Sequence, residues 1–340
     1  MNLLILGGTV FVGRYLVEQA LERGHDVTLF NRGRTNPELY PEVEHLHGDR
    51  DGGLAVLAGR KWDAVIDTCG YVPRVVRASA EALKDAVDHY TFVSSVSVYV
   101  EEGGQGPDED SPVGRLEDET VEVVDGRTYG PLKALCEEAV SAVFGDRALN
   151  VRPGLIVGPN DPTGRFTWWP ARADRGGPFV APDTPDAPTQ FIDVRDLASW
   201  MLDMVERGEA GAYNATGPVP PVTVGDVIAA SLAAVGEGAS NVAGDPRPAP
   251  EPVWVPEATL LELEVAPFME QPLWVPREGW AFMEADVSRA VAQGLSFRPL
   301  AETVIDTLAW HRSLPEADRP TRAGLSPEKE AAVLATVGAC

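Results

Sequence analysis

Short runs of uninterrupted apolar residues alternate with amphipathic runs from the start of the chain, and the alternation predicts strands followed by helices. Residues 2–6 (NLLIL) are almost wholly apolar, the pattern of a parallel strand covered on both faces. Residues 11–23 then carry Val12, Leu16, Val17, Ala20 and Leu21 at helical spacing, with Gly24 placed to end the helix. Further strands are predicted at 25–30, 44–46, 64–67, 89–94 and 149–152, and helices at 74–87 and 131–143. Repeated strand–helix units imply an α/β fold, a doubly wound parallel sheet with helices on both faces.

Beyond Gly158 the alternation loosens. Residues 159–188 are rich in proline, glycine and tryptophan and read as loops around a cleft. TQFIDVRDLASWMLDMVE predicts a short strand and a helix capped near Asp193, and AYNATG another strand. A helix is predicted at 223–235, followed by an irregular connection over 236–257. Later helices are expected at 256–264, 286–293, 300–312 and 326–336, the last with Ser326 as N-cap and Pro327 at N1.

Composition narrows the classes. The 340 residues are 44% hydrophobic and 24% charged, a soluble globular balance. No apolar run approaches the roughly 18 residues of a membrane span, and MNLLILGG turns straight into a glycine motif, so it reads as a strand and not a signal peptide. The formal charge of −24 disfavours phosphate backbones, so nucleic acid is an unlikely partner. With only Lys61, Lys84, Lys133 and Lys329 as lysines, the acidity also suggests adaptation to high salt. Cys69, Cys136 and Cys340 are scattered, neither a disulfide framework nor a zinc site, which favours a reducing cytoplasm. His45 and His47 lack cysteine partners, so no metal site is expected.

LGGTVFVG (residues 6–13) joins the first strand to the first helix, where a dinucleotide site belongs. Gly7 suits the turn, Gly13 lets the helix approach the sheet, and the helix N-terminus offers amides to a pyrophosphate. Val10 stands where the middle glycine is usual. The second strand ends in Asn31-Arg32-Gly33-Arg34 with no acid to hold a ribose 2′-hydroxyl. Two guanidiniums there suit a 2′-phosphate, so NADP is preferred over NAD. Their alternative role is to balance acids on an acidic surface. In RTYGPLKALCEE, Tyr129 and Lys133 lie one helical turn apart on one face, with Pro131 fixing the helix start. A free phenol has a pKa near 10, and a neighbouring Lys133 would lower it.

These motifs together resemble the extended short-chain dehydrogenase/reductase superfamily, the group of NAD-dependent epimerases and dehydratases, in its atypical branch. The resemblance covers about the first 200 residues. GGTVFVG looks like the cofactor loop (Gly7, Thr9, Phe11, Val12, Gly13). HGDRD matches the adenine-contacting segment (Asp49, Arg50), and DTCGY the strand end along the cofactor (Thr68, Cys69, Gly70). FVSSVSVY matches the strand carrying the catalytic serine, four residues before its closing tyrosine, which assigns Ser95, with Ser94 and Ser97 as competitors. NVRPGLIVGPND and FIDVRDLA resemble later signatures, placing Pro153 near the nicotinamide. The resemblance implies Ser95, Tyr129 and Lys133 as catalytic, with Tyr129 and Lys133 also touching a cofactor held by the residues above and by Asn31, Arg32 and Arg34.

Implied domains are residues 1–158 for NAD(P) binding, with later contributions from about 189–215. Residues 159–312 form a smaller, mainly substrate-binding C-terminal region, and 313–340 a tail with a short helix. The implied function is an NAD(P)-dependent oxidoreductase or epimerase of a sugar nucleotide or related hydroxy/carbonyl compound. The alternative is a non-catalytic NAD(P)-binding or RNA-associated protein, and a homodimer is left open. The chain departs from the family at Val10, at Val100, where glycine is usual, and in the acidic insert 101–126 between Ser95 and Tyr129. Val96 and Ser97 stand where dehydratases carry an Asp-Glu pair, which disfavours 4,6-dehydration.

Overall fold

The structure, a computed structural model, describes residues 1–100, 106–238 and 248–338. The predicted alternation is present: β1 (Asn2–Leu6), α1 (Val12–Glu22), β2 (Asp26–Asn31), β3 (Glu44–His47), β4 (Ala64–Asp67), α2 (Pro73–Leu83), β5 (His89–Val93), α3 (Tyr129–Phe144) and β6 (Ala148–Pro153). There follow β7 (Leu155–Val157), α4 (Trp168–Arg175), β8 (Pro178–Pro182), β9 (Pro188–Thr189), β10 (Phe191–Asp193), α5 (Val194–Arg207) and β11 (Gly211–Ala215). The chain continues through β12 (Val222–Thr223), α6 (Val224–Gly238), β13 (Glu251–Val255), α7 (Glu257–Glu262), α8 (Ser288–Ala292), α9 (Leu300–Ser313) and α10 (Pro327–Thr336).

Seven strands form one sheet in the order β11-β6-β5-β4-β1-β2-β3, with every pairing parallel. Alternation along β1 sorts its side chains between two cores. Leu3 and Ile5 pack with Leu16, Val17 and Ala20 of α1 and Met201 and Met204 of α5. Leu4 and Leu6 face the other way, onto Val76 and Ala80 of α2 and Val140 and Phe144 of α3. Because both faces are covered, the strand reads as a continuous apolar run. At β1 the sheet order reverses: β2 lies on one side and β4 on the other, opening a crevice at the carboxyl ends of the strands.

The second half is more regular than its composition suggests. Residues 159–188, expected as loops, contain α4 and β8, and the expected irregular connection 236–257 contains β13, which pairs parallel with β8. Proline hid them. A two-stranded ribbon has only edge strands, so PFVAP and EPVWV tolerate residues without an N–H. Pro170 lies in the first turn of α4, where no intrahelical donor is needed. Trp169 and Trp274 are fully buried in a third core, each indole N–H satisfied, at Pro272 O (2.8 Å) and Thr184 Oγ1 (3.1 Å). The expected tail enters this core too: Leu325, Val333 and Leu334 pack in it, and Glu330 forms a buried ion pair with Arg172 at 2.8 Å.

Candidate functional site

The turn from β1 into α1 is built by close backbone approach. Gly7 has φ +109°, and a Cβ there would run into Thr68 Oγ1. A Cβ on Gly13 would lie 2.8 Å from the Gly8 backbone, so only glycine lets helix and loop meet. Asn31 braces the turn, donating from Nδ2 to Gly7 O (3.1 Å) and accepting from Gly33 N (2.8 Å), and Asn36 donates to Thr9 O (2.8 Å). Among the described residues, the amides of Phe11 and Val12 have no carbonyl partner at the mouth of α1. That cradle fits a pyrophosphate. Val10, in place of the middle glycine, is 47% exposed at the mouth of the cavity.

A cavity of about 1120 Å³ opens above β1 and β4. Gly7, Thr9, Phe11, Val12, Gly13, Thr68, Cys69, Ser95, Tyr129, Lys133 and Pro153 line it, as the sequence predicts for one site. Asn31, Arg32, Arg34, Asp49, Arg50 and Gly70 do not. Arg32 and Arg34 are exposed at the end of β2 and form no ion pair among the described residues. Asp49 is exposed and accepts from Asp51 N at 3.0 Å. Arg50, expected at the cofactor, is committed elsewhere: it donates to both Asp67 carboxylate oxygens at 2.8 and 2.7 Å and to Ser79. Burial alone would raise the Asp67 carboxyl; the Arg50 guanidinium, with the Cys69 amide and the Tyr90 hydroxyl, offsets it and holds that pKa below its ordinary value. Arg50 therefore stabilises the floor of the crevice.

Ser95, Tyr129 and Lys133 are brought together by two tight contacts. A Cβ on Gly130 would collide with Ser97 O, so α3 begins directly against the turn that follows β5. Asp125 then sets the approach into α3, accepting from Arg127 N (2.8 Å) and Thr128 N (3.0 Å) while its carbonyl receives Tyr129 N (2.9 Å). Ser95 caps the turn at Val96–Val98, its Oγ accepting from Ser97 N and donating to Ser97 Oγ, both at 3.1 Å. All three candidate serines, Ser94, Ser95 and Ser97, line the cavity, and Ser95 is the one near enough to the Tyr129 phenol to bear on its pKa.

Lys133 departs from the expectation that its charge lowers the Tyr129 pKa. Its Nζ donates to Gly70 O (2.8 Å) and Val93 O (2.6 Å) and lies over the Phe92 and Tyr71 rings at 4.4 and 5.1 Å. Helical spacing does put it on Tyr129's face of α3, but the carbonyl that ends β5 and one in the loop after β4 hold the ammonium there. Burial brings its pKa down to about 8. Tyr129 is itself raised above 10.0 by burial, against which Ser95 and the charge of Arg165 work.

The sequence reading missed Arg165 and much of the far wall: Tyr71, whose ring lies 6.5 Å from that of Tyr129, and Gln190, Phe268, Phe282 and Met283. Nothing in TGRF marks Arg165; Tyr71 alone had a signal, following the strand end at DTCGY. None of the eight tryptophans lines the cavity. The insert does, through Gly114, Val124, Asp125 and Gly126. It is fastened by Gly114 N to Val98 O (2.6 Å), Asn214 N to Glu109 Oε1 (2.9 Å), and Arg74, which pairs with Asp51 and Glu122 at 2.8 and 2.7 Å. Residues 101–105 of the insert, and Cys340, lie outside the described residues.

Comparison with known proteins places this geometry. A sequence model of the NAD dependent epimerase/dehydratase family matches residues 3–216. Among curated proteins, the chloroplast stem-loop binding protein of 41 kDa b of Arabidopsis thaliana is 27% identical over 234 residues. That match covers 64% of this chain and 58% of the relative's own length. Among solved structures, the fold resembles UDP-N-acetylglucosamine 4-epimerase from Bacillus cereus (TM-score 0.65, 18% identity, covering 92% of this chain and 100% of that one). It also resembles UDP-glucose 4-epimerase from Thermus thermophilus, solved with NAD (TM-score 0.65, 19% identity, covering 93% and 100%).

Proposed function

The chain belongs to the NAD-dependent epimerase/dehydratase family, and from that premise we propose that it is an NAD(P)-dependent oxidoreductase or epimerase acting on a hydroxy or carbonyl compound. The observation that carries the reading is convergence: Ser95, Tyr129 and Lys133 line the same cavity as the glycine loop. Gly7, Thr9, Phe11, Val12 and Gly13 would hold the dinucleotide's pyrophosphate. Thr68, Cys69 and Pro153 would flank it, and Lys133 would hold the nicotinamide ribose. The nicotinamide supplies the acceptor or donor of a hydride when bound. Ser95 would orient the substrate oxygen by a hydrogen bond. In oxidation Tyr129, as the phenolate, would take the hydroxyl proton; in reduction the protonated phenol would give its proton to the forming alkoxide. With its pKa raised by burial, Tyr129 is protonated at neutral pH and ready to act as the acid.

Arg32 and Arg34 support NADP. On a chain of formal charge −24 they are left without a carboxylate partner among the described residues, where a ribose 2′-phosphate would lie. A UDP-sugar, as in the names of the structurally similar epimerases, is one substrate of the proposed class. The RNA-associated alternative draws on the stem-loop binding named for the Arabidopsis relative, and the acidity of this chain opposes it.

A thermal-shift titration with NADPH, NADH and an RNA hairpin separates these readings, because a ligand that binds only the folded state raises the melting temperature. NADPH is expected to stabilise most, and Tyr129→Phe to keep that stabilisation. Stabilisation by RNA alone would sink the enzyme reading, and NADH equal to NADPH would remove the 2′-phosphate preference.

A further inference from the structure

Arg165 lies on the segment between β7 and α4 and lines the cavity together with Tyr129. Its guanidinium packs 5.1 Å from the Phe268 ring centroid. Among the described residues its side chain makes one hydrogen bond, a long one of 3.4 Å from Nε to Thr163 Oγ1. Asp161, the acid whose charge reaches it, is fully buried and occupied by Thr163, accepting from its N–H at 2.8 Å and its hydroxyl at 3.0 Å. Among the described residues no carboxylate lies within ion-pair distance of Arg165, so its terminal nitrogens open onto the cavity without an acceptor. The cavity's other cations differ. Lys133 is tied to two carbonyls, and Arg127 stands at the exposed rim.

A partly buried guanidinium without a counter-charge is costly, whereas paired with a planar or tetrahedral anion it forms two parallel charge-assisted bonds. We infer that Arg165 anchors an anionic group of the substrate, a carboxylate or a phosphate monoester, close to the carbon that faces Tyr129. This rests on the reading of Ser95, Tyr129 and Lys133 as the reactive set, and it narrows the substrate class to acidic hydroxy or carbonyl compounds. Phe268 packs on the arginine, and Tyr71 and Phe282 line the same cavity with aromatic faces for the rest of the substrate. Arg165 is also the cation whose field reaches the Tyr129 phenol, so its neutralisation by a bound anion would favour the protonated phenol.

The test titrates the full chain, saturated with NADPH, with lactate, with inorganic phosphate and with neutral 1,2-propanediol, following the fluorescence of the bound nucleotide. Saturable binding of lactate or phosphate is expected, with propanediol at least tenfold weaker. Arg165→Gln is expected to weaken the anion at least tenfold while leaving NADPH affinity within twofold. Should that variant not fold, Arg165→Met, which keeps the stem against Phe268, takes its place. Lactate above phosphate identifies a carboxylate site, and the reverse a phosphate site; both support the anchor. Unchanged anion binding in the variant, equal binding of propanediol, or no saturation by either anion overturns it. The titration is repeated on the nucleotide-free chain by calorimetry. Arg165-dependent anion binding in a chain that does not bind NADPH would keep the anchor and remove the dehydrogenase reading. NADPH binding without an Arg165-dependent anion would do the opposite.

Discussion

The two walls of the cavity are made differently. On the sheet side, the glycine loop, the Ser95 turn and the start of α3 meet backbone to backbone, at Gly7, Gly13 and Gly130, where a single Cβ would collide. On the far side, Arg165, Phe268, Phe282 and Met283 come from distant segments and meet the cavity through side chains, Phe268 packing on the core of buried aromatics that also holds the neighbourhood of the Arg172–Glu330 pair. Close backbone approach demands a particular residue at a particular place and therefore leaves a mark in the sequence. A wall of side chains demands only volume and complementarity, which many sequences satisfy. On the proposed function, the near wall would fix where reaction occurs and the far wall would select what reacts.

The largest expected effect lies on the far side. Glu330→Ala leaves Arg172 buried without its carboxylate, and breaking such a pair costs about 3–5 kcal/mol. Urea unfolding is expected to show that loss, while the folded fraction binds NADPH with unchanged affinity. A loss of nucleotide affinity in step with stability would mean that the two walls are one cooperative support. Gly130→Ala strikes the near side. Forcing a methyl against Ser97 O costs about 1–3 kcal/mol of overpacking and moves Tyr129 off Ser95. Turnover at temperatures well below melting is expected to fall more than the stability does; normal turnover would mean that the contact is not what positions the phenol.

The smallest effect is a titration. Lys133 has its pKa lowered by burial from 10.5 to about 8, so the folded chain releases this proton before the unfolded chain does. Between about pH 8 and 10.5 the unfolded state binds more protons at this group, and its contribution to stability rises with pH. Below pH 8 both states are charged and the contribution is flat. NMR of labelled lysine side chains should show one resonance of four titrating near pH 8, absent in Lys133→Met. The absence of any resonance titrating near pH 8 would mean that the carbonyl cage at Gly70 and Val93 is open in solution.

The sheet half was readable because periodicity and punctuation coincide there. The run NLLIL, the loop LGGTVFVG and the spacing of Tyr129 to Lys133 each specify local geometry, and β1 and β4 lie where that pattern puts them. The second half was read only in part. The pattern located the Asp193 cap of α5 and the Ser326 cap of α10. It passed over α4, β8 and β13, because prolines that are harmless in a first turn or a two-stranded ribbon mimic loop composition. Arg50 shows the same limit at a single residue. Its place in HGDRD pointed to the cofactor, but the buried Asp67 carboxylate, 17 residues on, claims its guanidinium.

By itself the sequence determined the parallel sheet and the turn that can receive a pyrophosphate, and its motifs singled out Ser95, Tyr129 and Lys133 as candidates, since each of these signals lies in residues close together in the chain. Tertiary structure alone decided which way Lys133 points, which arginine's charge reaches Tyr129, and that the acidic insert forms part of the cavity wall. Those outcomes depend on partners brought together from remote segments, and burial and charge act through space, where sequence spacing carries no record of them.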